Sequence, residues 1–379
     1  MLKLGIIGLG SMGTNHARTI LDEKVEGVEL SAVCDSHEHL LAQYPEAHPF
    51  TDSDALLESD KVDAVLIATP HYSHTTIGIK ALECGKHVLV EKPISVHKAD
   101  AERLIAAYRG GDQVFAAMFN QRTDPYYRKL RELIVGGELG EVRRVNWIVT
   151  DWFRTETYYK SGGWRATWAG EGGGVLLNQC PHNLDLYQWL FGLPQRVRAF
   201  GQIGRYHDIE VEDDVTAYFE YDNGKHGVFI TSTGEAPGTN RLEVAAERGK
   251  VVIERNRFTY TRNETPMSEF CQSAAGRFAS PGTWNVEIPL PGHGGQHAEV
   301  IQNFVDAATK GAELIAPATE GIHSVELGNA ILQSLLEERT VTLPLDAGAY
   351  EALLKKKIAS STHKKETVEV ATEDMAGSF

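Results

Sequence analysis

Lys92 is a cation that the sequence places directly after a predicted strand. Residues 88–90 are apolar, largely β-branched and bounded by polar residues, which is typical of a buried strand, and Glu91, Lys92 and Pro93 follow at once. Ligands of an open α/β sheet bind beyond the carboxyl ends of its strands, so Lys92 lies where a cofactor or substrate is expected. Glu91 is placed to tune or orient Lys92. The alternative is a strand that ends in a solvated Glu–Lys pair.

A second candidate for chemistry is His182, in a segment that opens with three glycines at 172–174. His182 is the one titratable group of this segment suited to general-base work near neutral pH. Pro181 suits the first turn of a helix, unless residues 175–178 form an earlier turn that Pro181 kinks. In a continuous helix, Asn178, His182 and Asp185 share one face. The alternative is a structural histidine that hydrogen-bonds Asp185.

Aromatic and polar residues before that segment suit the binding of a sugar ring. Four of the six tryptophans fall within twenty-two residues, namely Trp147, Trp152, Trp164 and Trp168. Flat aromatic faces beside arginine and asparagine can stack on a sugar while the polar groups bind its hydroxyls. The alternative is that tryptophans fill a core, which we expect of one or two of them. The predicted substrate-binding residues are Asn178, Arg165, Tyr159 and Arg122.

A glycine fingerprint near the N-terminus predicts a dinucleotide site. Gly8, Gly10 and Gly13 have the G-x-G-x-x-G spacing, after a predicted strand and at the start of a predicted helix. The first glycine permits a tight turn, the second lets the backbone approach a pyrophosphate, and the third allows close helix–strand packing. The helix N-terminus offers free N–H groups and a positive dipole to the phosphates. The alternative is a glycine-rich turn that binds no dinucleotide.

The choice of cofactor depends on Asp35, which ends the second predicted strand. A carboxylate at this place accepts hydrogen bonds from the adenosine ribose hydroxyls. Its charge would repel a 2′-phosphate, and Ser36 and His37 supply no arginine to bind one, so we predict NAD in preference to NADP. The predicted cofactor-binding residues are Gly8, Gly10, Ser11, Met12, Gly13, Asp35, Ser36, Thr69, Pro70, His71, His74, Glu91, Lys92, Asn120, Trp164 and Arg165.

Thr69 and Pro70 border the expected crevice, and Asn120 and the predicted substrate-binding residue Arg122 follow the last strand of the first domain. His71 and His74 are spaced like metal ligands. Because no nearby cysteine or acidic cluster completes a metal site, we favour cofactor-contacting or helix-capping roles and predict no metal.

The elements that position these residues form two domains. Strands at 2–7, 29–34, 64–68, 87–90 and 114–118 alternate with helices near 15–21, 53–58, 75–84 and 98–108, which implies right-handed βαβ units and a parallel sheet. A helix at 125–135 follows. Strands at 142–149, 196–201, 215–221, 226–232, 242–246 and 251–254 then predict a mainly antiparallel sheet with helices at 181–191 and 297–308, and the Asn223–Gly224 pair predicts a hairpin turn. A helix near 322–338 is expected to pack on one of the two domains.

We therefore predict an α/β chain with domains at 1–122 and 123–350 and a C-terminal tail at 351–379 that is mobile or an interaction arm. The formal net charge of −15 argues against binding to nucleic acid or an anionic membrane. No run of 18 apolar residues or signal peptide is evident, and four scattered cysteines suggest no disulfide framework, so a reducing cytoplasm is expected.

Taken together, the chain resembles the glucose–fructose oxidoreductase / inositol dehydrogenase / rhizopine-catabolism (Gfo/Idh/MocA) family. The matching pieces are Gly8-x-Gly10-x-x-Gly13, Thr69-Pro70 with His74, Glu91-Lys92-Pro93, and Gly172-Gly173-Gly174 leading to His182-x-x-Asp185 and Trp189-Leu190. The resemblance implies an N-terminal Rossmann domain and a C-terminal α/β domain whose open sheet often mediates dimers or tetramers.

The resemblance also implies NAD(P)-dependent oxidation of a sugar or cyclic polyol, with Lys92 near the nicotinamide and His182 as acid/base. One departure is Asn178, where the family often has aspartate four residues before the histidine. A neutral amide cannot relay a proton, so Asn178 is expected to bind a substrate hydroxyl. Two rival functions are an NAD-dependent glycoside hydrolase that uses transient oxidation, and a non-catalytic sensor or regulator that binds NAD or sugar.

Overall fold

The N-terminal part of the chain forms a six-stranded parallel sheet in the computed structural model, which describes residues 1–368. The strands are β1 Leu2–Ile7, β2 Val28–Cys34, β3 His48–Phe50, β4 Ala64–Ile67, β5 His87–Val90 and β6 Phe115–Ala117. Their order is β3-β2-β1-β4-β5-β6, so the chain reverses its direction of winding between β1 and β4. Ligands of such a sheet bind at this switch point, outside the carboxyl ends of the strands.

The helices of this domain cover both faces of the sheet, as a parallel sheet requires. They are α1 Ser11–Leu21, α2 Glu38–Leu41, α3 Ser53–Glu58, α4 His71–Glu83 and α5 Lys98–Ala107. A short 3₁₀ helix, Asn120–Thr123, follows β6. The helix predicted at 75–84 begins earlier, at His71, and Pro70 at its N-cap prevents it from extending further towards the N-terminus.

The second sheet has nine strands in the order β14-β13-β12-β11-β7-β10-β9-β8-β15. They are β7 Val142–Val149, β8 Arg196–Ile203, β9 Glu212–Glu220, β10 His226–Ser232, β11 Asn240–Ala246, β12 Gly249–Glu254, β13 Arg257–Asn263, β14 Thr283–Ile288 and β15 Val341–Thr342. All neighbours are antiparallel except β7 and β10, which confirms the predicted mainly antiparallel sheet. Gly224 has φ +82° in the predicted β9–β10 hairpin, a conformation that favours glycine.

Helices cover one face of this second sheet and leave the other exposed. The remaining helices are α6 Pro125–Val135, α7 Glu156–Lys160, α8 Pro181–Phe191, α9 Met267–Ser273, α10 Gln296–Lys310, α11 Gly321–Leu336 and α12 Ala347–Ser360. Along β9, Val215, Ala217 and Phe219 are buried, whereas Thr216 and Tyr218 are exposed. Trp147 and Trp168 lie in the core beneath the sheet, so two tryptophans have the packing role that we expected of one or two.

Two C-terminal helices change the predicted domain division. Helix α10 packs Val300, Ile301 and Phe304 into the core of the first domain, against β1 residues such as Leu4. Helix α11 lies against α5, α8 and β8, so it contacts both domains. The chain thus returns to its first domain after building the second, because the apolar stripe of α10 is needed to cover the parallel sheet.

The predicted tail begins too early. Residue 351 falls inside α12, which buries Tyr350 and Leu354 in the core of the second domain. Asp346 caps this helix by accepting a hydrogen bond from the Ala349 N–H at 3.0 Å. Residues 369–379 lie outside the described residues. Among residues 1–368, no helix is long and apolar enough to span a bilayer.

Candidate active site

The glycine loop between β1 and α1 has the geometry that its spacing predicts. Gly8 has φ +93°, and a Cβ there would lie 2.7 Å from the Ala68 carbonyl oxygen. A Cβ on Gly13 would lie only 1.8 Å from the Gly8 carbonyl oxygen, whereas a Cβ on Gly10 would meet nothing within 4 Å. The first and third glycines are therefore required by packing, and the second leaves open space in front of Ser11 and Met12 at the N-terminus of α1.

Asp35 lies at the carboxyl end of β2 and is tied to the glycine loop. Its Oδ2 accepts a hydrogen bond from the Leu9 N–H at 2.8 Å, and its Oδ1 accepts one from the His37 N–H at 2.9 Å. Burial acts to raise the pKa of Asp35, but these hydrogen bonds outweigh it and lower the pKa. The site therefore carries a fixed negative charge next to exposed Ser36 and His37.

Lys92 extends from the end of β5 towards the second domain. Its Nζ donates a hydrogen bond of 2.9 Å to the backbone oxygen of Asn178. Glu91 is buried, with Oε1 2.7 Å from His16 Nε2 and Oε2 accepting from the Lys92 N–H at 3.0 Å. The peptide bond between Lys92 and Pro93 is cis. The interpretation as a solvated Glu–Lys pair is therefore wrong, and Glu91 orients Lys92 through its backbone and is bonded to His16.

Burial lowers the pKa values of both Lys92 and His182. Removal from water lowers the pKa of Lys92. His182, in the first turn of α8, is 3% exposed, and burial lowers its pKa well below the ordinary value, with the nearby charge of Lys92 acting in the same direction. Neither ring nitrogen of His182 has a hydrogen-bond partner within residues 1–368. His182 is therefore a neutral imidazole with a nitrogen available to accept a proton.

Asp185 does not orient His182, because it is paired with Arg122. The Nε and Nη2 atoms of Arg122 each donate a 2.7 Å hydrogen bond to Asp185, and Nη1 donates to Glu320 at 2.6 Å. The side chains of Arg122 and Asp185 are each 1% exposed. The structure therefore places the Arg122 guanidinium in a buried ion pair that joins the 3₁₀ helix to α8, rather than in contact with the crevice.

Tyr159 is also displaced from the predicted role. Its hydroxyl lies 2.8 Å from Thr233 Oγ1, and its ring centroid lies 4.6 Å from that of His207, so the side chain belongs to the core. The neighbouring Tyr158 faces the site instead, donating to Asn178 Oδ1 at 3.2 Å. Successive residues of a helix point in different directions, and the sequence pair Tyr158–Tyr159 does not reveal which side chain faces inward.

Asn178, Arg165 and Trp164 lie close together in the structure, beside residues that the sequence did not single out. Arg165 Nη1 donates to the Tyr158 hydroxyl at 3.2 Å, and its guanidinium lies 4.6 Å from the Trp164 ring centroid. Asn178 precedes α8 and donates its amide N–H to the buried carboxylate of Glu171. The sequence signals that we missed are the position of Glu171 directly before the three glycines and that of Tyr158 in the aromatic segment.

The segment after β4 closes the other side of the crevice. His74 lies 2.8 Å from both the Thr69 and the Pro93 carbonyl oxygens, so it ties the loops after β4 and β5 together. The His71 ring lies 5.4 Å from that of Trp164 and brings the two domains into contact. Asn120 Nδ2 donates to Gln296 Oε1 at 2.7 Å. Within residues 1–368, no group of histidine, cysteine, aspartate or glutamate side chains could hold a metal ion.

These features fit a bound nicotinamide dinucleotide. Several buried polar atoms of the predicted site residues have no hydrogen-bond partner within the part of the chain that the structure describes: Thr69 Oγ1, His71 Nδ1, Asn120 Oδ1 and both ring nitrogens of His182. Buried polar groups are normally satisfied, so a ligand is the expected partner of these atoms. The open space at Gly10 and the charge of Asp35 provide room and contacts for the phosphates and a ribose.

Comparison with known proteins gives consistent matches over both domains. A model of an oxidoreductase family with an NAD-binding Rossmann fold matches residues 2–119, and a GFO/IDH/MocA C-terminal domain model matches residues 127–252. A myo-inositol 2-dehydrogenase from Thermotoga maritima is 25% identical over 354 residues, covering 90% of this chain and 98% of that protein. An inositol 2-dehydrogenase from Rhizobium meliloti is 25% identical over 358 residues, covering 90% and 99%.

A solved structure also resembles the whole two-domain chain. The WlbA dehydrogenase from Bordetella pertussis, determined in complex with NADH and UDP-GlcNAcA, has a TM-score of 0.76 and 25% sequence identity, with 91% of this chain and 99% of that chain covered. The two family models together match more than half of the chain. The Rossmann model matches the part that forms the parallel sheet, and the C-terminal domain model matches part of the nine-stranded sheet domain. The chain therefore belongs to the Gfo/Idh/MocA family of nicotinamide-dependent oxidoreductases.

Proposed function

We propose that this protein oxidises a ring hydroxyl of a sugar or cyclic polyol to a ketone, with NAD as the hydride acceptor, or catalyses the reverse reduction. The observation that supports this most directly is that Lys92 Nζ bonds to the Asn178 backbone oxygen, four residues before the unpartnered His182, whose ring lies close enough to feel the charge of Lys92. The inositol specificity of two relatives and the UDP-GlcNAcA in the related structure indicate the same class of cyclic, hydroxyl-bearing substrate.

The residues around the glycine loop would hold the cofactor, which supplies a hydride acceptor when bound. Gly8 to Gly13 would contact the pyrophosphate, and Asp35 would accept hydrogen bonds from the adenosine ribose. The ionised Asp35 would repel a 2′-phosphate, and exposed Ser36 and His37 are not arginines that could bind one. These surroundings support NAD in preference to NADP.

Lys92 and His182 would divide the handling of the substrate oxygen. His182 is neutral and has a free nitrogen, so it would accept the hydroxyl proton as hydride leaves the same carbon. Lys92, when charged, would donate a hydrogen bond to that oxygen and stabilise its developing negative charge. Its present acceptor, the Asn178 backbone oxygen, keeps Nζ directed into the crevice.

The remaining hydroxyls of the substrate would meet an aromatic and polar wall made by Trp164, Arg165, Tyr158 and Asn178. The Arg165 guanidinium is stacked on both neighbouring aromatic rings, with ring centroids 4.6 and 4.9 Å away, which holds its donors in place. Asn178 and Tyr158 present amide and hydroxyl groups at the same wall. Flat faces combined with fixed donors are suited to sugars.

The test is NADH formation from a panel of hexoses, inositols, anhydrosugars and nucleotide sugars, with NADP measured alongside. Lys92→Ala and His182→Ala should each lower kcat on the best substrate by about 100-fold or more. Matched controls are Lys24→Ala and His48→Ala, which alter exposed residues away from the crevice and should leave kcat unchanged.

Retention of full kcat by Lys92→Ala would refute the proposal. Release of a free sugar from a glycoside without net NADH would instead indicate the glycoside hydrolase. Tight NAD binding with no turnover on any substrate would indicate a sensor. The NADH affinity of each variant, measured by fluorescence, separates loss of chemistry from loss of cofactor binding.

We further propose that the exposed face of the nine-stranded sheet associates with further copies of the chain as a homodimer or homotetramer. Phe200 on β8 is 60% exposed and Tyr218 on β9 is 40% exposed, so large apolar side chains face outward there. Light scattering coupled to size exclusion measures the oligomer size.

The four cysteines are unpaired, which supports a reducing compartment such as the cytoplasm.

A further inference from the structure

Glu171 is a buried carboxylate at the centre of the wall that faces the crevice. It is 2% exposed, and it lies between the Trp164–Arg165 segment and the three glycines that lead to α8. Its Oε2 accepts a hydrogen bond from the Ala166 N–H at 2.5 Å, and its Oε1 accepts one from the Asn178 amide. These two hydrogen bonds hold the carboxylate in place.

The carboxylate fixes which way the Asn178 amide points. An ionised carboxylate only accepts hydrogen bonds, so the amide nitrogen of Asn178 must face Glu171 and the amide oxygen must face the opposite side. On that side, Asn178 Oδ1 accepts from the Tyr158 hydroxyl at 3.2 Å and from Gln179 Nε2 at 3.3 Å. An unanchored asparagine amide can present either atom, whereas this one has a single orientation.

The same constraint sets the direction of a longer chain of hydrogen bonds. Arg165 Nη1 donates to the Tyr158 hydroxyl at 3.2 Å, Tyr158 donates to Asn178 Oδ1, and Asn178 donates to Glu171. The carboxylate at the end of this hydrogen-bond series fixes the direction in which each group before it donates. In a low-dielectric interior, each hydrogen bond of such a series also strengthens the next one. Replacing the terminal acceptor would disturb the whole chain.

Asn178 also connects Glu171 to the reacting centre. Its backbone oxygen is the acceptor for Lys92 Nζ at 2.9 Å, while its side chain is anchored on Glu171. Burial raises the pKa of Glu171. The positive charges of Arg165 and Lys365 act in the opposite direction and favour the ionised carboxylate, and the charge of Lys92 also lies near it. One residue is thus held at both ends, by the catalytic lysine and by the buried carboxylate.

We propose that Glu171 is a positioning residue of the active site, which anchors the Asn178 amide and thereby sets the geometry of Lys92, Tyr158 and Arg165 towards the substrate. This inference rests on the proposed function, because it assigns the orientation of groups that act on the sugar or polyol. The carboxylate of this part of the site belongs to Glu171, directly before the three glycines, and residue 178 is an asparagine that carries the amide.

The test exchanges the amide and the carboxylate. In Glu171→Gln, the glutamine amide nitrogen replaces one of the two carboxylate oxygens. It then faces either the Ala166 N–H or the Asn178 amide N–H, both of which are donors, so a buried donor loses its acceptor. We expect kcat/KM to fall roughly 5- to 100-fold, with kcat bearing most of the loss. In Asn178→Asp, two carboxylates meet, and kcat/KM should fall by a similar factor.

The double variant Glu171→Gln with Asn178→Asp reverses the pair and should recover activity. The new amide oxygen can accept from the Ala166 N–H, its nitrogen can donate to the new carboxylate, and the Tyr158 hydroxyl can still donate to position 178. We expect its kcat/KM to exceed that of either single variant by about tenfold, a coupling that only paired side chains show.

The matched control is Glu210→Gln. Glu210 accepts the Trp168 N–H of the same segment at 3.0 Å and has no bond to Asn178, so its kcat/KM should stay within about twofold of the parent. Thermal unfolding and NADH affinity are measured for every variant, which separates a loss of catalysis from a loss of folding or of cofactor binding.

A kcat/KM for Glu171→Gln within twofold of the parent, or a double variant no better than Asn178→Asp alone, would overturn the inference. If Glu171→Gln unfolds at the assay temperature, Tyr158→Phe replaces it, since this variant keeps the buried carboxylate and removes the donor to Asn178. Unchanged kcat/KM in Tyr158→Phe would equally overturn the inference. Full activity of Lys92→Ala would refute the proposed function. If Lys92→Ala is inactive but Glu171→Gln is fully active, only the role assigned to Glu171 is refuted.

Discussion

Replacement of Arg122 by methionine tests whether this residue stabilises the fold or binds substrate. The sequence predicted a substrate contact, and the structure places Arg122 in a two-pronged ion pair with Asp185, with both hydrogen bonds at 2.7 Å and both side chains 1% exposed. Methionine keeps most of the apolar volume of the arginine stem and removes its charge. Asp185 then retains one side-chain donor, Gln188 Nε2 at 3.1 Å.

The expected cost follows from burial. Removing one partner of a buried ion pair leaves an unpaired charge away from water, which costs about 3–5 kcal/mol of folding free energy. The further bond to Glu320 adds at most about 1 kcal/mol, because the Glu320 side chain is 44% exposed. We therefore expect Arg122→Met to lower the free energy of unfolding by about 4 kcal/mol.

The assay is guanidinium-induced unfolding of Arg122→Met, Asp185→Leu and the double variant. Removing both charges leaves neither one unpaired, so the double variant should lie within about 2 kcal/mol of the parent, and the cycle should give a coupling of about 3 kcal/mol. The control is Arg257→Met. Arg257 makes the same two-pronged pair with Glu287, but those side chains are 66% and 59% exposed, so the loss of stability should be far smaller than that of Arg122→Met.

The reasoning fails if Arg122→Met loses less than about 1 kcal/mol, or no more than the exposed control. An unchanged free energy of unfolding together with a tenfold higher KM would show that Arg122 binds substrate, as the sequence predicts. A loss of stability with an unchanged KM, measured below the unfolding transition, is the outcome we expect.

Further predictions concern the glycine loop and a buried glutamate. Gly13→Ala should unfold at lower temperature and lose measurable NADH binding, because its Cβ would lie 1.8 Å from a backbone oxygen. Gly10→Ala should change the free energy of unfolding by no more than about 1 kcal/mol yet weaken NADH binding about tenfold or more, since its methyl group enters the open phosphate space. Burial raises the pKa of Glu212 to about 7, so the folded state favours its protonated form. Its contribution to stability should be full below about pH 4.5 and lost as pH rises through about 7, and Glu212→Gln should abolish this decline in unfolding titrations from pH 5 to 8.

Local motifs were read from the sequence with good accuracy. The positions of β1, β5 and the hairpin at Gly224 agree with the prediction because each depends on residues that are neighbours in the chain. The prediction omits strands β13 and β14, although both alternate apolar with polar residues: Phe258 and Tyr260 in β13, and Trp284, Val286 and Ile288 in β14. In the structure, β13 pairs with β12 and β14 pairs with β13, so each strand gains its backbone hydrogen bonds from a neighbour that the local pattern does not identify.

Side-chain direction limited the prediction of the site. Tyr158 and Tyr159 are adjacent and chemically identical, yet one faces the crevice and the other packs on His207. Arg122 follows a strand end like any ligand-binding residue, but the approach of α8 brings Asp185 within 2.7 Å of it. The predicted tail was misplaced because α12 owes its position to packing against a distant core.

The sequence by itself determined the parallel sheet, the glycine loop and the placement of Lys92 at a strand end, because these depend on periodicity and spacing within a few tens of residues. The tertiary structure decided which groups meet across the domains: Lys92 with the Asn178 backbone, Asn178 with Glu171, and Arg122 with Asp185. The last of these contacts joins residues 63 positions apart in the chain. Hydrogen bonds and ion pairs act over about 3 Å, so only the packing of the two domains fixes which distant side chains come close enough to form them.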